Sequence, residues 1–216
     1  MLFRSTFGTL SLSGSSTNTE VYVARIDSKG AFTWVNRGYC VKNYCEGLAV
    51  AQGSGGAAVV AGTFSGGFSF GGKAATANGS NDMFVARLDA AGKVQWLTTA
   101  GGVQADQARG VAMDGAGAVY VTGLFNSQQM AIGSIKLNAT PKTSNQAHAW
   151  VAGLTAGGAV SWASTTGRGQ GMAVSVAAGQ PHVAGTFLQS ATFGGKTVTA
   201  KGGVDAFVWR PGTAGP

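Results

Sequence analysis

Apolar and polar positions along this chain fall into short, densely apolar runs, and no segment sustains helical periodicity over about 11 residues or more. Segments such as Phe84-Val-Ala-Arg-Leu-Asp89 and Ala118-Val-Tyr-Val-Thr-Gly-Leu-Phe125 are rich in β-branched and aromatic residues and end in glycine-rich turns, which predicts strands. Between Phe84–Asp89 and Val94-Gln-Trp96 the Ala-Ala-Gly stretch predicts a tight hairpin in which Gly92 supplies a positive φ. The expected fold class is all-β.

The same pattern recurs. Val21-Tyr-Val-Ala-Arg-Ile-Asp, Met83-Phe-Val-Ala-Arg-Leu-Asp and Ala149-Trp-Val-Ala-Gly-Leu-Thr each run to a Trp, and the spacing from leading aromatic to Trp is constant: 22 to 34, 84 to 96, 150 to 162. A second block is Gly47-Leu-Ala-Val, Gly110-Val-Ala-Met and Gly171-Met-Ala-Val, followed by Val60-Ala-Gly-Thr-Phe64, Val121-Thr-Gly-Leu-Phe125 and Val183-Ala-Gly-Thr-Phe187. A third is Phe7-Gly, Phe70-Gly-Gly-Lys, Ile132-Gly and Phe193-Gly-Gly-Lys, at separations of 63, 62 and 61. The period of about 62 divides the single domain 1–216 into a partial repeat 1–46, repeats 47–109 and 110–170, and a partial repeat 171–216. Each repeat reads as four antiparallel strands apolar on both faces, which suits the blades of a β-propeller, with the long link from Ser65 to Asp82 accounting for the period. Counted this way the chain carries about thirteen strands, short of the about sixteen of a four-bladed ring, so the ring is incomplete. A piece of a longer propeller protein is the preferred reading; a self-assembling partial ring and an open arc are the others.

The residues Asp82-x-Phe-Val-Ala-Arg-Leu-Asp89-x-x-Gly92, Trp96, Gly101-Gly102, Asp106-x-Ala-x-Gly110-Val-Ala-x-Asp114-x-x-Gly117-x-Val-Tyr-Val-Thr-Gly123 resemble the bacterial β-propeller repeat called SBBP. The resemblance covers nearly the whole chain and is best between residues 70 and 125. It implies a propeller module of exported or surface bacterial proteins, with no common catalytic site. Repeat three departs from it at Trp150, Gly153 and Thr155, so its hairpin is expected to differ.

Composition agrees with a turn-rich fold: 36 glycines in 216 residues, 44% apolar residues, and only 11% charged residues against about 25% in ordinary soluble domains. The net charge of +7 is spread along the chain without a basic run, so no nucleic-acid partner is expected. No stretch is long and apolar enough for a membrane span, and Met1–Gly8 lacks a signal-peptide core. Cys40 and Cys45 form one local pair with no second pair to complete a zinc site. A loop-stapling disulfide fits their spacing and, with the family resemblance, places the chain outside the cytoplasm; two free thiols in a reducing compartment are the other reading.

Catalytic chemistry finds no support. His148 and His182 have no nucleophile motif around them, and both read as packing or surface residues. Asp27 and Asp89 recur at one hairpin position, Asp82 and Asp205 precede equivalent strands, and Asp114 lies in an Asp-Gly-Ala-Gly turn. A residue recurring with every repeat reads as a turn or cap device, leaving only Glu20, Glu46 and Asp106, all in predicted links, as singular acids. No catalytic residue, cofactor or metal ligand is therefore expected. The idiosyncratic surfaces are Tyr39 and Tyr44 beside the cysteine loop, and the stretch Asn126 to Gln146, with Asn126, Gln128 and Gln129. The expected function is a non-catalytic binding or scaffolding module with a protein or glycan partner, self-association, or flanking blades. A lectin-like propeller with similar pockets at each repeat is the alternative, and a propeller glycosidase or lyase a third.

Overall fold

The computed structural model describes residues 3–14, 19–41, 44–139 and 146–212. Among them there is no α-helix, and hence none long and apolar enough to cross a membrane. In chain order the strands are β1 (Phe3–Phe7), β2 (Leu10–Gly14), β3 (Val21–Ile26), β4 (Phe32–Cys40), β5 (Cys45–Gln52), β6 (Ala58–Phe64), β7 (Gly67–Phe70), β8 (Lys73–Thr76), β9 (Asp82–Leu88) and β10 (Val94–Gly101). They continue as β11 (Asp106–Met113), β12 (Val119–Phe125), β13 (Gln129–Ile132), β14 (Ile135–Asn138), β15 (His148–Leu154), β16 (Val160–Ala177), β17 (Gln180–Phe193), β18 (Lys196–Thr199) and β19 (Asp205–Trp209). All strand pairings are antiparallel, and they make sheets of two, four, six and seven strands.

The expectation of four-stranded units is corrected by this hydrogen bonding, for two reasons. The long link within each repeat is a hairpin that joins the sheet of the preceding repeat: β7 pairs with β4, Gly38 opposite Phe70, and β13 pairs with β10, Ala100 opposite Ile132. The link Ser65–Asp82 is thus not a loop but β7 and β8, clamped outside the previous layer. The second reason lies at Gly167-Arg-Gly169, where the connection that is a turn elsewhere has been shortened away. β16 therefore runs straight from one layer into the next, with register shifts there and φ of +110° at Gly167 and +152° at Gly169. No residue with a Cβ adopts those angles readily.

Four layers stack with three apolar cores between them, because each central strand is apolar on both faces. In β9, Phe84, Ala86 and Leu88 enter one core with Val21, Val23, Phe64 and Phe68, whereas Met83 and Val85 enter the next with Val121, Phe125 and Trp150. In β15, Trp150, Ala152 and Leu154 face back into that second core, while Ala149 and Val151 face forward with Val183, Phe187 and Phe207. Every residue of β12 and β15 is buried. Close approach is enforced by small residues: a Cβ on Gly110 of β11 would come 2.9 Å from the Ala173 Cα of the next layer.

Layers are also stapled by polar contacts. The Trp34 indole Nε1 donates to the Ala90 carbonyl at 2.9 Å and the Trp96 Nε1 to the Ala156 carbonyl at 2.9 Å, each reaching the hairpin turn of the next repeat. Arg25 and Arg87 donate to the same two carbonyls at 3.1 and 2.9 Å. A Cβ on Gly92 or Gly158 would meet the Trp34 or Trp96 ring at 2.5 or 2.6 Å, and both glycines have positive φ, +81° and +86°. In repeat three, where Gly153 replaces the arginine, the Trp162 indole packs so closely on Gly153 that a Cβ there would collide with it.

Candidate binding surface

The turn acids have defined structural work. Asp27 Oδ1 accepts from the amides of Lys29 and Ala31 at 2.8 and 2.9 Å, Asp89 Oδ1 from Ala91 and Lys93 at 3.0 Å each, and Asp114 Oδ1 from Ala116 and Ala118 at 2.9 Å each. These are Asx turns, in which a short carboxylate satisfies amides the turn would leave bare. Thr155, at the same position of repeat three, accepts only from Ala159 at 3.2 Å. Asp82 and Asp205 close the loops before their strands, each accepting the amide four residues back, Asn78 at 3.0 Å and Lys201 at 2.9 Å.

Asp106 and Glu46 are not in links, as the sequence suggested; they lie in β11 and β5, because these first strands start earlier than the Gly-x-Ala-x block. Asp106 is fully buried. Its Oδ2 accepts the Gly102 amide at 2.7 Å and the Ser127 hydroxyl at 2.9 Å, and its Oδ1 the Asn126 amide at 3.1 Å. Burial outweighs these bonds and raises its pKa to about 6. Asp82, 1% exposed, is also shifted upward by burial, and its Oδ1 has no partner among the described residues. Thr63 ties both segments together, its hydroxyl donating at 3.1 Å to the Asp82 and Asp106 carbonyls. Cys45 occupies the place of Asp106 one repeat earlier, each standing opposite a phenylalanine, Phe64 and Phe125. It is bonded to Cys40, whose Cα lies 6.1 Å away; both are buried in the first core.

His148, buried at the start of β15, has its Nδ1 2.8 Å from the Gln146 carbonyl and its ring 5.4 Å from Phe125. His182 is half-buried in β17. Among the described residues no three His, Cys, Asp or Glu side chains converge as a metal site requires.

The residues singled out as a possible surface are spread over two layers. Tyr39 lies in β4, with the Arg37 guanidinium 5.5 Å from its ring centroid; Tyr44 precedes β5 and its hydroxyl donates to the Glu46 carboxylate. Asn126 follows β12 at the place where Ser65 follows β6, so Tyr44 and Asn126 share one end of the stack. Gln128 and Gln129 are exposed at the start of β13, Gln129 donating to the Asn138 amide oxygen at 2.9 Å. Residues 140–145 of the stretch Asn126 to Gln146 lie outside the described residues.

A different cluster was missed by sequence reasoning. Just before the recurring glycine of each first strand stand Glu46, Arg109 and Gln170, three unlike polar residues at one repeat position. Arg109 is held in place, its Nε donating to Gln107 Oε1 at 3.1 Å and an Nη to Gln170 Oε1 at 2.6 Å across the layer boundary. Aligning the glycines and reading one position upstream was the available signal. A guanidinium fixed by two amide oxygens keeps further N–H groups with which to hydrogen-bond a polar ligand.

Two concavities border equivalent tryptophans. One of about 690 Å³ lies among Arg87, Asp89, Gln95, Trp96 and Ala156; another of about 560 Å³ lies among Lys136, Asn138, Trp162, Thr192 and Trp209. Their linings differ. Comparison with protein-family models and with curated proteins finds no match to this chain.

Proposed function

We propose that the chain is a non-catalytic β-propeller module of the SBBP type, its layers acting as blades, that serves binding or scaffolding in an exported or surface bacterial protein. The observation that carries this reading is the division of labour among polar residues. The recurring ones, Asp27, Asp89, Trp34 and Trp96, are occupied within turns and between layers. The ones that change, Glu46, Arg109 and Gln170, line the first strands, which in a propeller border the central channel. The buried disulfide is compatible with a location outside the cytoplasm.

The test is an amide-resolved NMR titration with cello-, chito- and uronic-acid oligosaccharides, with product analysis on the same samples. Shifts confined to Gln107, Arg109 and Gln170, abolished in Arg109→Ala, are expected. Formation of a shortened or unsaturated sugar would sink the non-catalytic reading. The lectin-like variant calls for similar pockets at each repeat, and the concavities at Trp96 and Trp162 share the tryptophan but differ in the rest of their lining. That variant predicts parallel shifts around both tryptophans instead.

A further inference from the structure

The stacking of layers follows one rule along the whole chain. The third strand of each repeat presents one face backwards, through Phe84, Ala86 and Leu88 of β9 or Trp150, Ala152 and Leu154 of β15, and the other forwards, through Met83 and Val85 or Ala149 and Val151. All of these side chains are 0 to 2% exposed. Each forward face meets a backward face of the next layer.

At the two ends the rule is left half satisfied. β3 places Tyr22, Ala24 and Ile26 at the backward positions; Ala24 is exposed, Tyr22 is 36% exposed and Ile26 54%, where Phe84 and Leu88 are 0%. Phe7 of β1 leans over Tyr22 and Phe32, at ring distances of 5.9 and 5.5 Å, and shields only that part of the face. β19 places Ala206 and Val208 at the forward positions; Ala206 is exposed and Val208 is 80% exposed, against 0% for Val85 and 1% for Val151. Isolated exposed valines are ordinary, but a position closed in three repeats and open in the fourth marks an uncovered interface. Among the described residues, β19 also pairs with β17 alone.

We propose that the forward face of β19 binds the backward face of β3 in a second copy of this chain, head to tail. The chain holds one open face of each kind, and every internal junction shows that the two kinds fit. Such a contact is heterologous, so it propagates to a closed ring or a filament instead of stopping at a two-fold pair. The inference needs only the stacking rule and is independent of any ligand.

The experiment is light scattering of the 21.6 kDa chain across a micromolar concentration series, with Val208→Asp and Ile26→Asp, alone and mixed. Both substitutions are at exposed sites, and circular dichroism melts check that each variant folds. The wild type is expected to show a mass that rises with concentration to twofold or more. Each variant alone is expected to stay monomeric. Their equimolar mixture is expected to form a dimer, because Val208→Asp keeps an intact β3 face and Ile26→Asp an intact β19 face. Hydrogen exchange across Ala206–Trp209 gives a readout without substitution, slowing as wild-type concentration rises. A wild type monomeric throughout overturns the proposal and leaves the face to another kind of partner. So does a Val208→Asp chain of unchanged mass, which would mean like faces pair, or a mixture that stays monomeric.

Discussion

The Trp96 indole Nε1 donates at 2.9 Å to the carbonyl of Ala156, sixty residues on, while its ring covers Gly158 of the same turn. One side chain thereby fixes the spacing between two layers and seals a turn that must carry a positive φ. Trp34 does the same to Ala90 and Gly92. Because Trp96 is half-buried, Trp96→Ala is expected to cost about 2–3 kcal/mol, from lost apolar contact and one hydrogen bond. Denaturant melts measure it, and a loss under about 1 kcal/mol would mean the staple is ornamental.

Thr155 offers a gain. At its position Asp27 and Asp89 each accept two turn amides, whereas Thr155 accepts only the second. The backbone of the turn is the same, with Gly158 donating to the Thr155 carbonyl at 2.9 Å as Gly92 does to Asp89 at 3.0 Å. Thr155→Asp is expected to restore the missing bond and stabilise the chain by about 0.5–1 kcal/mol. An unchanged or lowered melting midpoint would contradict it.

The pH dependence of stability has a sign set by Asp106. Burial raises its folded pKa to about 6, whereas an unfolded aspartate titrates near about 3.9, so between these values the folded chain binds more protons. Stability is therefore expected to rise as pH falls from 7 through 6 towards 4, with a ceiling of about 2–3 kcal/mol. Asp82, raised by burial as well, acts in the same direction. Urea midpoints at pH 7.5 and 5.0 read the slope, and Asp106→Asn is expected to flatten it. Greater stability at pH 7.5, or an unaltered slope in the variant, would refute this assignment.

Much of the architecture was legible because it is written in repetition. The 62-residue period, the apolar runs and the Asp-x-x-Gly turns each correspond to a strand or turn, and Gly92 has its expected positive φ. What could not be read was which sheet a strand joins. β7 and β13 are contiguous with β6 and β12 in sequence yet pair with β4 and β10, since register depends on edges brought near only by the stacked layers. The Glu46–Arg109–Gln170 position was hidden by its variability: repeat reading rewards identity, and a position whose residue changes from repeat to repeat does not stand out. Sequence spacing alone could not place the Cα atoms of Cys40 and Cys45 at the 6.1 Å that a disulfide spans.

That pair stands where another repeat uses a carboxylate. Cys40 and Cys45 close the connection from β4 to β5; from β10 to β11 the Gly102 amide and Asp106 close it with a 2.7 Å hydrogen bond, and at Gly167–Gly169 no loop remains. Three solutions to one connection have different susceptibilities. The six-residue covalent loop restricts the unfolded chain by about 2 kcal/mol on loop-closure entropy. Asp106 instead gives its repeat a dependence on pH. Reduction is therefore expected to lower stability by about 2 kcal/mol with no change in the pH slope, whereas Asp106→Asn reduces the slope to the part left by Asp82 and leaves sensitivity to reductant intact. Denaturation curves with and without reductant at two pH values separate these terms. A pH slope that vanishes on reduction would show the two closures to be coupled, against their separate places in the stack.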